Sequence, residues 1–163
     1  MNKNEIKLKS IIYECNQHKK RINRAYGKMQ QFLPLTLECF EKLSEDEIEH
    51  IDQFLFRFTK LQDSIDEKLF SHILLLLEED YSNKPFLDLL NRIEKLELLF
   101  VSDWLELRVI RNNVAHEYNY NKNEIVDNLN IIYQKHVTLI NIFDNLKRFC
   151  EERFSYIKNL EQE

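Results

Sequence analysis

The run Leu107-Arg108-Val109-Ile110-Arg111-Asn112-Asn113-Val114-Ala115-His116-Glu117-Tyr118 holds the one histidine, of five in the chain, that sits in a densely polar setting near a predicted helix end. At about 100° per residue, Asn112 and His116 fall about 40° apart and Arg111 and Tyr118 about 20° apart, so these four share one broad face with Arg108 beside them. Imidazole, with an ordinary pKa of about 6.5, gives or takes a proton near neutral pH, and guanidinium stabilises a crowded phosphorane. The pair therefore suits phosphodiester chemistry, and neither role requires a metal or a cofactor. The same spacing also reads as a solvated helix face, and residue types alone leave both readings open.

The other reactive side chains point to packing. His18 and His136 fall on apolar stripes and are expected to be structural; His50 and His72 stand isolated. Cys15, Cys39 and Cys150 are odd in number and far apart, which fits reduced thiols better than a disulfide framework. Cys15 and His18 share a helix face, but two ligands without a second pair make core packing the better reading. With Gly27 as the only glycine, no glycine-rich phosphate loop can exist, and the tight hairpins of a many-stranded sheet are disfavoured.

The elements that must carry these residues are helices. Leu8, Ile11, Cys15, His18, Ile22, Ala25 and Met29 recur at spacings of three and four and predict a first helix to about Gly27. A short segment follows from Pro34 to Leu43. Ser44-Glu45-Asp46-Glu47 reads as a capping box opening a long helix whose apolar face runs through Ile48, Ile51, Leu55, Phe58, Ile65, Leu69, Ile73 and Leu76. Pro85 marks the first turn of a helix carrying Phe86, Leu89, Leu90, Ile93, Leu96 and Phe100. Asp103-Trp104-Leu105-Glu106 offers a second capping box, starting a helix to about Tyr118 that Trp104, Leu107, Ile110 and Val114 fasten to the core. Asn119 to Asn123 is turn-prone. The last helix shows a coiled-coil-like seam of Ile125, Leu129, Ile132, His136, Leu139, Phe143, Leu146 and Cys150. About six amphipathic helices with short connections specify an all-α, antiparallel up-and-down bundle forming one domain over residues 1–163.

Composition sets the remaining bounds. The 163 residues are 44% hydrophobic and 31% charged, as in a globular protein. The longest apolar run, Ile73 to Leu77, is far short of the roughly 20 residues a membrane span needs, and the N-terminus does not read as a signal peptide, so a cytoplasmic protein without a membrane partner is expected. Residues 1–30 carry eight cations against two acids, a net of +6 that leaves −11 for the rest of a chain of formal charge −5. Lys19, Lys20, Arg21, Arg24 and Lys28 form a cluster that suits a phosphate backbone or an acidic partner, or else a solvated face.

Arg111-Asn-Asn-Val-Ala-His116-Glu-Tyr118 resembles the R-x4-H-x-Y motif of HepT-type toxins in the HEPN superfamily, small all-helical ribonucleases usually paired with a nucleotidyltransferase antitoxin. Asp52 to Asp63, and Pro85 to Leu96 leading into Trp104, look like the nucleotidyltransferase-linked branch of that superfamily; the resemblance covers most of residues 44–118. It implies that Arg111 and His116 are the catalytic pair, that Asn112 is the polar residue that follows the arginine, and that Tyr118 is a tyrosine the partner adenylylates. The implied reaction is metal-independent cleavage of RNA. The ribose 2′-hydroxyl attacks the adjacent phosphorus while His116 handles protons and Arg111 holds the phosphate. The resemblance also implies a homodimer with two motifs facing one cleft, and silencing by an anionic nucleotide on Tyr118. Arg57, Lys60 and Asp63 suit either support of the site, a partner contact or ion pairs on the long helix. A non-catalytic adaptor of a nucleotidyltransferase is the alternative within the superfamily. A purely structural helical dimer would explain the heptads but not the motif.

Overall fold

The computed structural model describes residues 2–114 and 121–157, and these form an all-α bundle with no strand among them. Helix α1 is Lys3–Met29, and a 3-10 turn at Gln30–Phe32 leads through a cis Leu33–Pro34 peptide to the short α2, Leu37–Glu41. Helix α3 is one rod in three sections: an α-helix over Glu45–Ser64, a π-helical turn over Ile65–Leu69 and a further α-helix over Phe70–Leu76. Helices α4 (Phe86–Lys95), α5 (Val101–Val114) and α6 (Lys122–Arg153) follow, with a final 3-10 turn at Ser155–Ile157. No helix among the described residues is long and apolar enough to cross a membrane.

Local chemistry explains the helix starts. Ser44 accepts a hydrogen bond from the Glu47 backbone N–H at 3.2 Å while Glu47 accepts from that of Ser44 at 3.0 Å, the capping box expected from the sequence. Asn2 and Glu5 make the same reciprocal pair at the start of α1, and Asn121 caps α6. The stripes expected of α1 and α6 are buried at every position, from Leu8 to Met29 and from Ile125 to Cys150. α1 and α3 run antiparallel: the His72 ring bonds the Asn4 carbonyl at one end, while Tyr26 lies against Phe54 at the other.

Four expectations need correction. The first helix continues past Gly27 to Met29. Ile48 is exposed rather than part of the buried face of α3, which begins at Ile51. The Asp103 capping box does not form, because α5 starts two residues earlier. There the Glu94 carboxylate accepts from the Val101 N–H at 2.7 Å, and the Phe100 carbonyl accepts from the Asp103 and Trp104 N–H groups. Asp103 thereby falls in the first turn, where a negative side chain favours the helix dipole. Phe100 lies outside α4 because the chain turns at Glu97 (φ 62°) and the Leu98 N–H caps the Ile93 carbonyl, leaving the Phe100 ring 70% exposed.

Candidate functional site: a polar groove between α3 and α5

Trp104, Leu107 and Ile110 bury one side of α5 in the core and fix the helix, and Arg108, Arg111 and Asn112 emerge on the flank next to that buried side. Facing this flank is the π-turn of α3. A π-turn packs one extra residue into a helical turn and re-aims the side chains around it. Asp63 and Asp66 thereby meet the arginines at matching intervals of three residues.

The Asp63 carboxylate accepts two hydrogen bonds from Arg111, from Nε at 3.0 Å and from Nη2 at 3.0 Å. This two-armed geometry fixes the guanidinium plane as a single charge–charge contact would not. The hydrogen bonds that Arg111 donates to Asp63, aided by the charges of Asp63, Glu67 and Asp66, outweigh burial and raise the Arg111 pKa above its ordinary value, so the guanidinium stays charged. Asp66 accepts from the Trp104 indole N–H at 2.9 Å and from Arg108 Nε at 2.9 Å, which ties the buried end of α5 to the same π-turn. The Arg108 guanidinium also lies over the Phe86 ring, 4.1 Å from its centroid. Gln62, Asp63, Asp66, Glu67, Arg108, Arg111 and Asn112 line an open groove of about 390 Å³.

Of the residues expected at the site, Arg111 and Asn112 stand side by side in this groove, and Arg108 joins them. His116 and Tyr118 lie outside the described residues. Asp63 is drawn into the site by its pair with Arg111. Arg57 and Lys60 lie instead against the Phe56 ring, and Arg57 also meets His18. The sequence reading did not single out Asp66, Glu67 or the Trp104 indole. The signal was available: Asp63 and Asp66 on one helix and Arg108 and Arg111 on another are ladders of opposite charge with equal spacing.

The remaining histidines and thiols are structural or peripheral. His136 is wedged between Tyr26 and Phe54, and its Nδ1 bonds the Tyr133 carbonyl. Burial drives its pKa below the ordinary value, which keeps the ring neutral. His18 lies between the Arg57 guanidinium, 3.1 Å from its Nδ1, and the Glu14 carboxylate, 3.6 Å from its Nε2. Burial and the charge of Arg57 lower its pKa. Burial pushes Cys15 and Cys150 up to about 12, so neither is a thiolate nucleophile near neutral pH. A larger concavity of about 560 Å³ lies between the α4–α5 connection and α6, with Glu94, Glu97 and Asp103 on its wall and none of the motif residues.

What fold and site define together is an all-α bundle presenting an arginine-bearing polar groove between two of its longer helices. No protein-family model, curated protein or solved structure matches the chain.

Proposed function

We infer that the chain is a metal-independent endoribonuclease of the HEPN kind, a HepT-like toxin restrained by a nucleotidyltransferase that adenylylates Tyr118. One observation carries the reading: Arg111 and Asn112, adjacent positions of the R-x4-H-x-Y motif, open together into a groove where Asp63 fixes the guanidinium. The Asp63 fork engages the Nε–Nη2 edge, and in the proposed reaction the Nη1 edge meets a phosphate oxygen. His116 follows Arg111 by five residues. In the proposed reaction the 2′-oxygen bonds to phosphorus as its proton passes to a base, the P–O5′ bond breaks, and the departing 5′-oxygen takes up a proton. A 2′,3′-cyclic phosphate remains. His116 handles the protons and Arg111 stabilises the phosphorane, with Asn112 as a neighbouring hydrogen-bonding group.

In the proposed homodimer a second copy brings its own groove alongside. Leu105, Val109 and Ile131 are exposed near the Glu106–Lys135 ion pair that joins α5 to α6, an apolar strip suited to such a contact. The adaptor alternative draws on one feature: Asp63, Asp66 and Glu67 outnumber Arg108 and Arg111 in the groove of a single protomer, which disfavours a polyanion there.

Labelled RNA incubated with the purified chain in a chelator separates the two readings. Cleavage that disappears in Arg111→Ala and in His116→Ala is the expected result. Intact RNA throughout, or equal cleavage by both variants, refutes the nuclease. Treatment with the partner nucleotidyltransferase and ATP is expected to add AMP to Tyr118, as read by mass spectrometry; modification confined to another residue refutes that assignment.

A further inference from the structure

One aromatic side chain on the surface of α3 is flanked by cations. Phe56 is 50% exposed although Phe54 and Phe58, on the other side of the helix, are fully buried. The Arg57 guanidinium carbon lies 5.3 Å from the centroid of the Phe56 ring and the Lys60 ammonium 5.6 Å from it. Arg57 also has its Nε buried without a hydrogen-bond partner. A half-exposed ring with two cations within 6 Å of its centroid combines a surface on which an unpaired base can stack with charges for the flanking phosphates.

The surroundings extend this patch in one direction and close it in another. His18 of α1 touches Arg57, and Arg21 and Arg24 follow His18 at one-turn intervals; both are exposed. Because α1 and α3 are antiparallel, these arginines lie beside the stretch of α3 that carries Phe56. Two turns along α3 in the other direction, about 10 Å on, is Asp63 with its Arg111 partner. Asp52 and Glu49, one and two turns from Phe56 towards the start of α3, are exposed acids that bound the patch on that side. Asp63 and Glu14, the acids nearest the cations, are already engaged, by Arg111 and by Ser64 with Lys68 respectively.

We propose that Phe56, Arg57 and Lys60, with Arg21 and Arg24 of α1, form a stacking platform for unpaired bases of single-stranded RNA next to the α3–α5 groove. The proposal rests on the ribonuclease reading for the identity of the ligand. It assigns the basic end of α1 a role that the motif does not give it: the platform holds the strand and the groove cuts it.

The test is fluorescence anisotropy of a labelled oligouridine, 2′-O-methylated so that it cannot be cleaved, titrated with the full chain. Phe56→Ala is expected to weaken binding about tenfold, with Phe56→Trp restoring it and Phe56→Leu not. Lys60→Ala and Arg21→Ala are each expected to flatten the slope of log Kd against log salt by about 0.7. Phe56→Ala binding as tightly as the unaltered chain, with its helical circular dichroism intact, overturns the platform and leaves the cleavage reading standing. A chain that cuts no RNA yet loses the oligouridine on Phe56→Ala sinks the nuclease reading and upholds the platform. Polyglutamate that displaces the oligouridine as well, charge for charge, as unlabelled RNA overturns the proposal in favour of an acidic protein partner.

Discussion

Asp63 holds Arg111 by two parallel hydrogen bonds across the gap between α3 and α5, and both side chains keep about a third of their surface in water. Solvent screening makes such a pair worth only about 1 kcal/mol of stability, so its main effect is on orientation. Asp63→Ala is therefore expected to lower stability by no more than about 1 kcal/mol while reducing cleavage at least tenfold, with RNA affinity little changed; a variant that cuts at the normal rate contradicts the positioning role. Two histidines give a second expectation. Burial lowers the pKa of His136, and burial with the charge of Arg57 lowers that of His18, whereas in the unfolded chain both titrate near about 6.5. Between those values the unfolded state binds more protons, so their contribution is complete above about pH 6.5 and is lost as pH falls towards the depressed folded values. Melting temperature is expected to fall between about pH 7 and pH 5.5, and less so in His136→Gln than in the unaltered chain once the mutant's own destabilisation is subtracted. A pH-independent midpoint contradicts this. His18 and His136 were legible as structural from their stripe positions, because burial follows helical phase. The Arg111–Asp63 pair was not, because it joins residues 48 apart in sequence and depends on how two helices face each other.

At the scale of elements, caps and apolar phase determined most of what was foreseen. The Ser44 box formed because both of its reciprocal bonds lie within four residues. Ser44→Ala is expected to lower the free energy of unfolding by about 1 kcal/mol, measured by urea denaturation. The start of α5 was misread because its cap comes from Glu94, on the preceding helix, which local spacing does not reveal. The π-turn was equally hidden: the apolar stripe crosses it at Ile65 and Leu69 without interruption. That turn has a measurable consequence. Asp66→Ala removes the acceptor of the indole N–H of Trp104, the only tryptophan in the chain. A buried donor left unpaired costs about 1–3 kcal/mol, and emission from the sole tryptophan is expected to change as the α3–α5 contact loosens. Unaltered emission and stability would show that Asp66 does not tie these helices together.

At the scale of the molecule, an excess of acid coexists with a basic end on α1, so anion binding must depend on where the charges lie rather than on their sum. Arg21 and Arg24 follow His18, which touches Arg57 beside Phe56, whereas Lys19 of the same basic cluster is paired with Asp144 of α6; the groove opens farther along the same α3 rod. The fold class was readable from glycine scarcity and helical periodicity, since both are properties of the whole chain. Periodicity does not group Leu105 and Val109 of α5 with Ile131 of α6, all three exposed, because they belong to different helices. The most direct measurement of the account is the chemistry of the RNA ends left after incubation without divalent metal. Attack by the neighbouring 2′-oxygen, with Arg111 and His116 on one linkage, predicts 2′,3′-cyclic phosphate and 5′-hydroxyl ends that vanish in both alanine variants. Ends bearing a 5′-phosphate and a 3′-hydroxyl, or cyclic ends produced equally by Arg111→Ala, would contradict it.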